Sequence, residues 1–183
     1  MIKNINQNRL SKAFWVWGEF SYKDSIYLNE IKDQVNALLK SPKFDIHLTL
    51  LGPFLNIDRS LINELILFGK NNFEIELKLN RYDFKEDVFE SFYISLNYSN
   101  NLQCFRKNLI KISNFGSDYK YAPHISLAYG DYSFSKKVNL IEKLPKVKSS
   151  ITMSNISLVQ VEENLNIWKV LKRFQLKHKD KYI

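Results

Sequence analysis

The sequence has 183 residues, of which 45% are hydrophobic and 25% charged, and its formal net charge is +8 at neutral pH. That length and apolar content suit one domain with its own core and exclude a largely disordered chain. A single cysteine excludes a disulfide framework and a thiolate zinc site. No apolar run is long enough to cross a membrane and no signal peptide opens the chain, so we expect a cytoplasmic protein without membrane contacts. The polar residues 1–12 are expected to form a flexible N-terminal arm.

The first half of the chain predicts five elements in the order strand, helix, strand, helix, strand. A β-branched and aromatic run predicts a strand over 13–20, and apolar residues at three- and four-residue spacing predict a helix over 26–40. A strand over 44–53 follows, and then a helix for which Asp58 is the N-cap. Alternating apolar residues over 73–79 predict the third strand.

The second half repeats this order and adds one strand. The predicted ranges are a strand at 90–98, a helix at 101–113, a strand at 121–129, a helix at 135–144 and strands at 150–162 and 167–177. The shared order predicts an internal duplication, with pseudo-repeats at about 13–86 and 87–177 inside a single domain spanning 13–183. We therefore predict an α+β fold built from a duplicated β-α-β-α-β unit. It should be bilobal, with two mainly antiparallel sheets facing each other across a cleft and the helices outside.

One short frame occurs at the same place in both halves. The run Phe-Asp-Ile-His-Leu-Thr-Leu-Leu-Gly-Pro occupies 44–53, and Tyr-Ala-Pro-His-Ile-Ser-Leu-Ala-Tyr occupies 121–129. In each run a histidine precedes a hydroxyl residue by two positions, and the two-residue period of a strand puts such a pair on one face. The pairs are His47 with Thr49 and His124 with Ser126. A pseudo-twofold relation between the halves predicts that the two polar faces lie opposite each other.

Two facing imidazoles suit acid–base catalysis near neutral pH. One neutral histidine can take a proton from a nucleophile while the other, protonated, gives one to a leaving oxygen, and the sequence leaves open which does which. The hydroxyls of Thr49 and Ser126 can donate hydrogen bonds to a phosphate as charge builds on it. Two histidines without a carboxylate or thiolate cluster make a poor zinc set, so no metal and no cofactor are expected. Asp45 shares a face with His47 and is interpreted as a strand-edge residue.

The two frames resemble the paired His-x-Thr/Ser-x motifs of the 2H phosphoesterase superfamily. The matching segments are His-Leu-Thr-Leu at 47–50 and His-Ile-Ser-Leu at 124–127, and the likeness covers nearly the whole chain. The run Pro-His-Ile-Ser-Leu-Ala-Tyr-Gly at 123–130 is similar to the second motif of the plant and yeast type of 2′,3′-cyclic nucleotide phosphodiesterases.

This resemblance implies the duplicated bilobal fold and a role for each motif residue. The implied residues are catalytic His47 and His124, phosphate-binding Thr49 and Ser126, and substrate-contacting Tyr129, for which packing in the core is the alternative role. The implied activity is metal-independent hydrolysis of a 2′,3′-cyclic phosphate on a nucleotide, on an ADP-ribose derivative or at an RNA end.

The basic residues are spread along the chain without a long block. Such a distribution favours a nucleotide or RNA-end substrate over duplex DNA, and we expect a monomer. Four aromatic residues are candidates for stacking on a base: Trp15, Trp17, Phe54 and Tyr93. Two alternatives stay open: a sister 2H enzyme that cleaves 2′-5′ oligoadenylate, trims RNA 3′ ends or degrades cyclic oligonucleotide signals, and a basic RNA-binding module without turnover.

Overall fold

The computed structural model describes residues 12–116, 121–162, 164–165 and 168–178. In chain order the elements are β1 (Ala13–Phe20), α1 (Tyr22–Leu39), β2 (Leu48–Phe54), α2 (Arg59–Asn71), β3 (Ile75–Asp83), β4 (Phe92–Leu96), α3 (Asn100–Ser113), β5 (His124–Ala128), α4 (Phe134–Lys143), β6 (Ser150–Val161) and β7 (Lys169–Gln175). Parts of the prediction lie outside the described residues: the N-terminal arm apart from Lys12, residue 167 at the start of the last predicted strand, and residues 117–120, 163, 166 and 179–183 of the predicted domain.

The strands form one antiparallel sheet that closes on itself. Their order is β1-β2-β5-β4-β3-β6-β7, and a further pairing of β1 with β6 completes a ring. The predicted α+β class with antiparallel strands and outer helices is therefore confirmed. The two predicted sheets are two sides of this ring, joined where β2 pairs with β5 and where β3 pairs with β6.

The two halves of the chain exchange their last strands. β3 pairs with β4 of the second half, and β6 pairs with β1 of the first. Within the ring, which leaves out β7, the pairing scheme is unchanged when β1, β2 and β3 are exchanged with β4, β5 and β6, respectively. As a result, the two histidine-bearing strands are neighbours in the sheet, whereas the sequence predicted that they would oppose each other across a gap.

The core lies between the ring of strands and the helices. The side chains of Leu48 and Leu50 on β2, and of Ile125 and Leu127 on β5, are fully buried. Helix α1 packs on β5 and β1, and helix α3 packs on β2 and β3. Each histidine strand is thus backed by the first helix of one half. Within the described ranges, no helix is long and apolar enough to cross a membrane.

Candidate active site

The four motif residues lie together on one side of β2 and β5. These strands pair antiparallel through Leu48 and Ile125, whose side chains point into the core. Because side chains alternate along a strand, the residues that flank this pair point the other way. Extending the antiparallel register by one residue in each direction sets His47 across from Ser126 and Thr49 across from His124.

Each histidine ring is held by its own backbone. The Nδ1 atom of His47 lies 2.7 Å from the carbonyl oxygen of Asp45, and that of His124 lies 2.9 Å from the carbonyl oxygen of Ala122. A carbonyl oxygen only accepts hydrogen bonds, so Nδ1 carries a proton in both rings. Proton exchange is thereby assigned to Nε2, which accepts when the ring is neutral and donates when it is charged.

His47 is enclosed by aromatic rings. Its own ring stacks on Trp17 with 3.6 Å between the centroids, and the edges of Phe44 and Trp168 approach at 6.4 and 6.3 Å. The indole N–H of Trp168 donates to the carbonyl oxygen of Glu162 at 2.8 Å, which fixes that ring at the end of β6. Only 5% of the surface of His47 is exposed as a result.

Burial makes His47 a neutral imidazole. The pKa of His47 is lowered from 6.5 to about 3, chiefly by burial; the hydrogen bond to Asp45 opposes the shift, and the nearby charges of Lys32 and His124 add to it. Desolvation penalises the charged ring because the surrounding aromatic groups cannot replace water. At neutral pH the ring is therefore ready to accept a proton.

His124 has a more open environment on the same side of the sheet. It is only partly buried, and the ring of Tyr93 lies 5.0 Å from it, tilted by 53°. Tyr93 pairs with Ser126 across β4 and β5, just as Trp17 pairs with Thr49 across β1 and β2. Each hydroxyl residue thus has an aromatic neighbour that also contacts a histidine.

Of the aromatic residues predicted to stack on a base, two lie at the site. Trp17 and Tyr93 are 3% and 7% exposed and pack against the histidine rings. Phe54 packs against Phe115 at 4.9 Å, away from the histidines. The ring of Trp15 lies beside the backbone of Gly52. Trp17 and Tyr93 therefore present no open face for stacking, and Trp15 and Phe54 are partly buried.

Tyr129 contacts both Phe44, one of the rings around His47, and the motif residue Ser126. The ring of Tyr129 is 5% exposed and stacks on Phe44 at 4.1 Å. Burial raises the pKa of Tyr129 to about 12, and a hydrogen bond with Ser126 acts against that shift. The hydroxyl of Ser126 also lies 3.4 Å from the carbonyl oxygen of Phe89, to which it donates. The packing role of Tyr129 is thus visible, and its contact with substrate stays a prediction.

A cavity of about 450 Å³ adjoins this cluster. Its lining includes Trp17, Phe44 and Trp168, the rings that enclose His47, but neither histidine. These rings therefore separate the cavity from His47. Among the residues that the structure describes, no group of three or more histidine, cysteine, aspartate or glutamate side chains could hold a metal ion.

Five residues at the site were not predicted from the sequence: Lys32, Phe44, Arg106, Tyr121 and Trp168. Phe44 and Tyr121 each precede a histidine by three positions, so a comparison of the two frames could have found them. Lys32 and Arg106 occupy positions on the apolar faces of their helices, which is unusual for charged residues. No local pattern in the sequence indicates that Trp168 would reach His47.

No family model and no curated protein matches the sequence. The structure, however, resembles TT0787 of Thermus thermophilus, with a TM-score of 0.62 and 15% identity over 91% of this chain and 99% of that one. It also resembles apo LigT of E. coli, with a TM-score of 0.57 and 17% identity over 92% and 99% of the two chains. The chain shares their fold. LigT complexed with 3′-AMP gives a TM-score of 0.55 at 16% identity, covering 91% of this chain and 98% of that one.

Proposed function

We propose that the chain is a phosphodiesterase of the 2H superfamily that hydrolyses a 2′,3′-cyclic phosphate on a nucleotide or at an RNA end without a metal ion. The observation that carries this proposal is the pair of histidines, each with Nδ1 bound to a backbone carbonyl and Nε2 left for proton exchange, beside two hydroxyl residues. The fold shared with LigT, which was crystallised with 3′-AMP, supports a substrate with phosphate on a ribose.

His47 is the general base in this proposal, and His124 is the general acid. Burial lowers the pKa of His47 to about 3, so its ring is neutral and can accept a proton. An imidazole with so low a pKa is a weak base until an anion approaches it. The bound phosphodiester carries a negative charge, which stabilises the imidazolium and raises the pKa of His47 toward a useful value.

The reaction is then an in-line displacement at phosphorus. A water molecule attacks the cyclic phosphate and gives its proton to Nε2 of His47 as the new P–O bond forms. The P–O bond to the ribose 3′ oxygen breaks, and that oxygen takes the proton from Nε2 of His124. The product is a 2′-phosphate monoester. Thr49 and Ser126 donate to the non-bridging oxygens, where negative charge grows in the pentavalent transition state.

Product analysis on a substrate panel tests this proposal. The panel contains 2′,3′-cyclic mononucleotides, RNA ending in a cyclic phosphate, 2′-5′ oligoadenylate and cyclic dinucleotides, each incubated with protein treated with EDTA. We expect the cyclic phosphates to open to 2′-phosphates at the same rate with and without EDTA. Metal-free protein that is inactive and recovers with a divalent ion would contradict the acid–base mechanism.

The other substrates of the panel test the proposed substrate class independently of the proposed mechanism. Cleavage of only 2′-5′ oligoadenylate or cyclic dinucleotides would keep the histidine pair and reject the 2′,3′-cyclic phosphate. Binding of RNA without turnover of any substrate would reject the enzyme altogether.

A further inference from the structure

The helices that back the two histidine strands bury matching sets of residues. The matching residues are Leu28, Ile31, Lys32 and Val35 on α1, which also buries Leu39, and Leu102, Phe105, Arg106 and Leu109 on α3. Each residue of the second set lies 74 positions after its counterpart, and so does the left-handed C-cap Asn114 after the C-cap Lys40. Both helices thus place a cationic side chain at the same buried position, with Lys32 5% and Arg106 7% exposed.

Each buried cation covers an aromatic ring that precedes a histidine by three residues. The Nζ atom of Lys32 lies 3.6 Å from the ring centroid of Phe44, and the Cζ atom of Arg106 lies 4.1 Å from that of Tyr121. Burying a charge is unfavourable compared with burying an apolar side chain of similar size. Two such charges at equivalent positions therefore point to a role beyond filling the core.

Lys32 acts on the backbone that holds His47. Its ammonium donates a hydrogen bond to the carbonyl oxygen of Phe44. The next carbonyl along the chain, that of Asp45, accepts the hydrogen bond from Nδ1 of His47. Lys32 therefore fixes the peptide group immediately before the one that sets the orientation and tautomer of His47.

Arg106 acts on the backbone that carries Thr49. Its Nε–H donates to the carbonyl oxygen of Leu50 at 3.0 Å, and the hydroxyl of Tyr121 donates to the carbonyl oxygen of Thr49 at 2.8 Å. The guanidinium lies over the ring of Tyr121, so Arg106 and Tyr121 together hold two successive carbonyl groups of β2. The direction of the Thr49 hydroxyl depends on that stretch of backbone.

We propose that Lys32 and Arg106 are a matched pair of positioning residues, with Lys32 fixing the backbone that orients His47 and Arg106 fixing the backbone that carries Thr49. This rests on the proposed function for the roles of His47 and Thr49. Neither cation touches the reacting phosphate, and each acts through a carbonyl group.

The Lys32 half of the proposal is tested with Lys32→Met, which keeps the length of the side chain and removes its charge. We expect kcat on 2′,3′-cyclic mononucleotides to fall by on the order of 10- to 100-fold as His47 loses its alignment. The charged groups that face His47 are Lys32 and His124, and Asp33 and Asp45 act on Lys32. Removing the Lys32 charge should raise the pKa of His47 and move the acid limb of kcat/KM to higher pH. Lys32→Arg should keep that limb near its original position.

The Arg106 half is tested with Arg106→Lys, which keeps the charge and removes the planar group. We expect kcat to fall by about tenfold or more with little change in KM, because Thr49 meets charge that grows in the transition state. The pH limbs should stay where they are, since a threonine hydroxyl does not titrate in this range. A rise in KM alone would overturn the role assigned to Arg106.

Lys137 on α4 provides a matched control. It is 3% exposed, donates to the carbonyl oxygen of Lys85 at 2.7 Å and lies 5.7 Å from the ring of Phe84. Lys137→Met removes a buried lysine of the same kind away from His47, so it should lower stability and leave the acid limb unchanged. Equal effects of Lys32→Met and Lys137→Met on kcat and on the acid limb would overturn the role assigned to Lys32.

Measurements without substrate separate this inference from the proposed function. The imidazole signals of the three histidines can be followed by NMR as the pH is changed. His47 should take up its proton at higher pH in Lys32→Met than in Lys32→Arg, and an unchanged titration would overturn the role of Lys32. Amide hydrogen exchange at Thr49 should be faster in Arg106→Lys. An inactive parent protein would reject the proposed function, yet both comparisons would still decide the inference.

Discussion

In both His47 and His124 the Nδ1 atom is bound to a backbone carbonyl group, and the two rings differ in exposure. Because one is proposed as the base and the other as the acid, we expect both to be needed for turnover. We expect His47→Ala and His124→Ala each to lower kcat by on the order of 10²–10⁴, the usual contribution of one general acid or base. The double variant should lose little more, because both groups are proposed to act in one transition state. The measurement is steady-state kinetics on folded protein.

His178 offers the control for these substitutions. It is exposed and its Nδ1 atom pairs with Glu74 at 2.8 Å. His178→Ala should keep full activity. A folded His47→Ala or His124→Ala variant with unimpaired turnover would remove that histidine from the mechanism.

The burial of His47 also makes folding stability depend on pH. The pKa of His47 is about 3 in the folded chain and 6.5 in the reference state, so the unfolded chain binds the proton first as the pH falls. The stabilisation is therefore fully present above about pH 6.5 and is lost toward pH 3. Between pH 6.5 and pH 4.5 we expect the free energy of unfolding to drop by roughly 2 kcal/mol from this group.

Denaturant unfolding of the parent and of His47→Gln at several pH values measures this effect. Glutamine does not titrate, so the variant should show a flatter pH dependence over the same interval. Parallel curves for the two proteins would show that His47 is not held neutral by burial.

Thr49 and Ser126 are expected to act mainly in the transition state. Thr49→Val and Ser126→Ala should therefore lower kcat more than they raise KM. Removing one donor to a developing oxyanion typically costs about 10²–10³ in kcat. Steady-state kinetics that showed a raised KM with unchanged kcat would mean that these hydroxyls only hold the substrate.

At the scale of elements, each histidine strand has a glycine near its C-terminal end that no other residue replaces easily. Gly52 lies within β2, and Gly130 lies two residues past the end of β5. Gly52 and Gly130 have φ angles of +138° and +139°. A Cβ atom would lie 2.5 Å from the ring of Trp15 at Gly52 and 2.8 Å from the ring of Tyr132 at Gly130. We expect Gly52→Ala and Gly130→Ala to lower the free energy of unfolding by about 1–3 kcal/mol each.

Gly116→Ala is the control, because an added Cβ atom there meets no atom within 4 Å and its φ angle is not in the strained region. It should leave the midpoint of denaturant unfolding nearly unchanged. If all three variants unfold at the same denaturant concentration, the backbone at Gly52 and Gly130 is not constrained as the structure indicates.

The predicted elements agree closely with the observed ones, and the late start of the first histidine strand has a local cause. The strand predicted over 44–53 begins only at Leu48. The carbonyl groups of Phe44 and Asp45 accept hydrogen bonds from Lys32 and His47, and side-chain partners of this kind interrupt a ladder. β5 likewise starts at His124, after Ala122. Hydrophobic periodicity cannot reveal which carbonyl groups are taken by side chains.

At the scale of the whole molecule, the sequence indicated the four motif residues but not the arrangement that joins them. The alternation of apolar residues predicts which side of a strand is buried. It does not say which strands are neighbours, so the sequence left open whether strands are exchanged between the halves, as β3 and β6 are. The burial of Lys32 and Arg106 was not predicted for a similar reason, since a buried cation is recognisable only from the groups around it.

The net charge of +8 belongs to the whole molecule and should act on binding. The basic residues are spread over the chain, so they attract an anionic substrate over distances of about a Debye length, roughly 10 Å at 0.1 M salt. The proposed acid–base step takes place at buried or partly buried groups, which salt screens much less. Raising the KCl concentration should therefore raise KM and leave kcat nearly constant.

The rise of KM with salt should be steeper for an RNA oligomer with a cyclic end than for a cyclic mononucleotide, because more phosphates release counterions. Steady-state kinetics at several KCl concentrations measure the dependence of KM on salt for both substrates. A neutral osmolyte is the control for viscosity. If KM does not change with salt for either substrate, the basic surface of the protein does not contact the RNA beyond its cyclic phosphate.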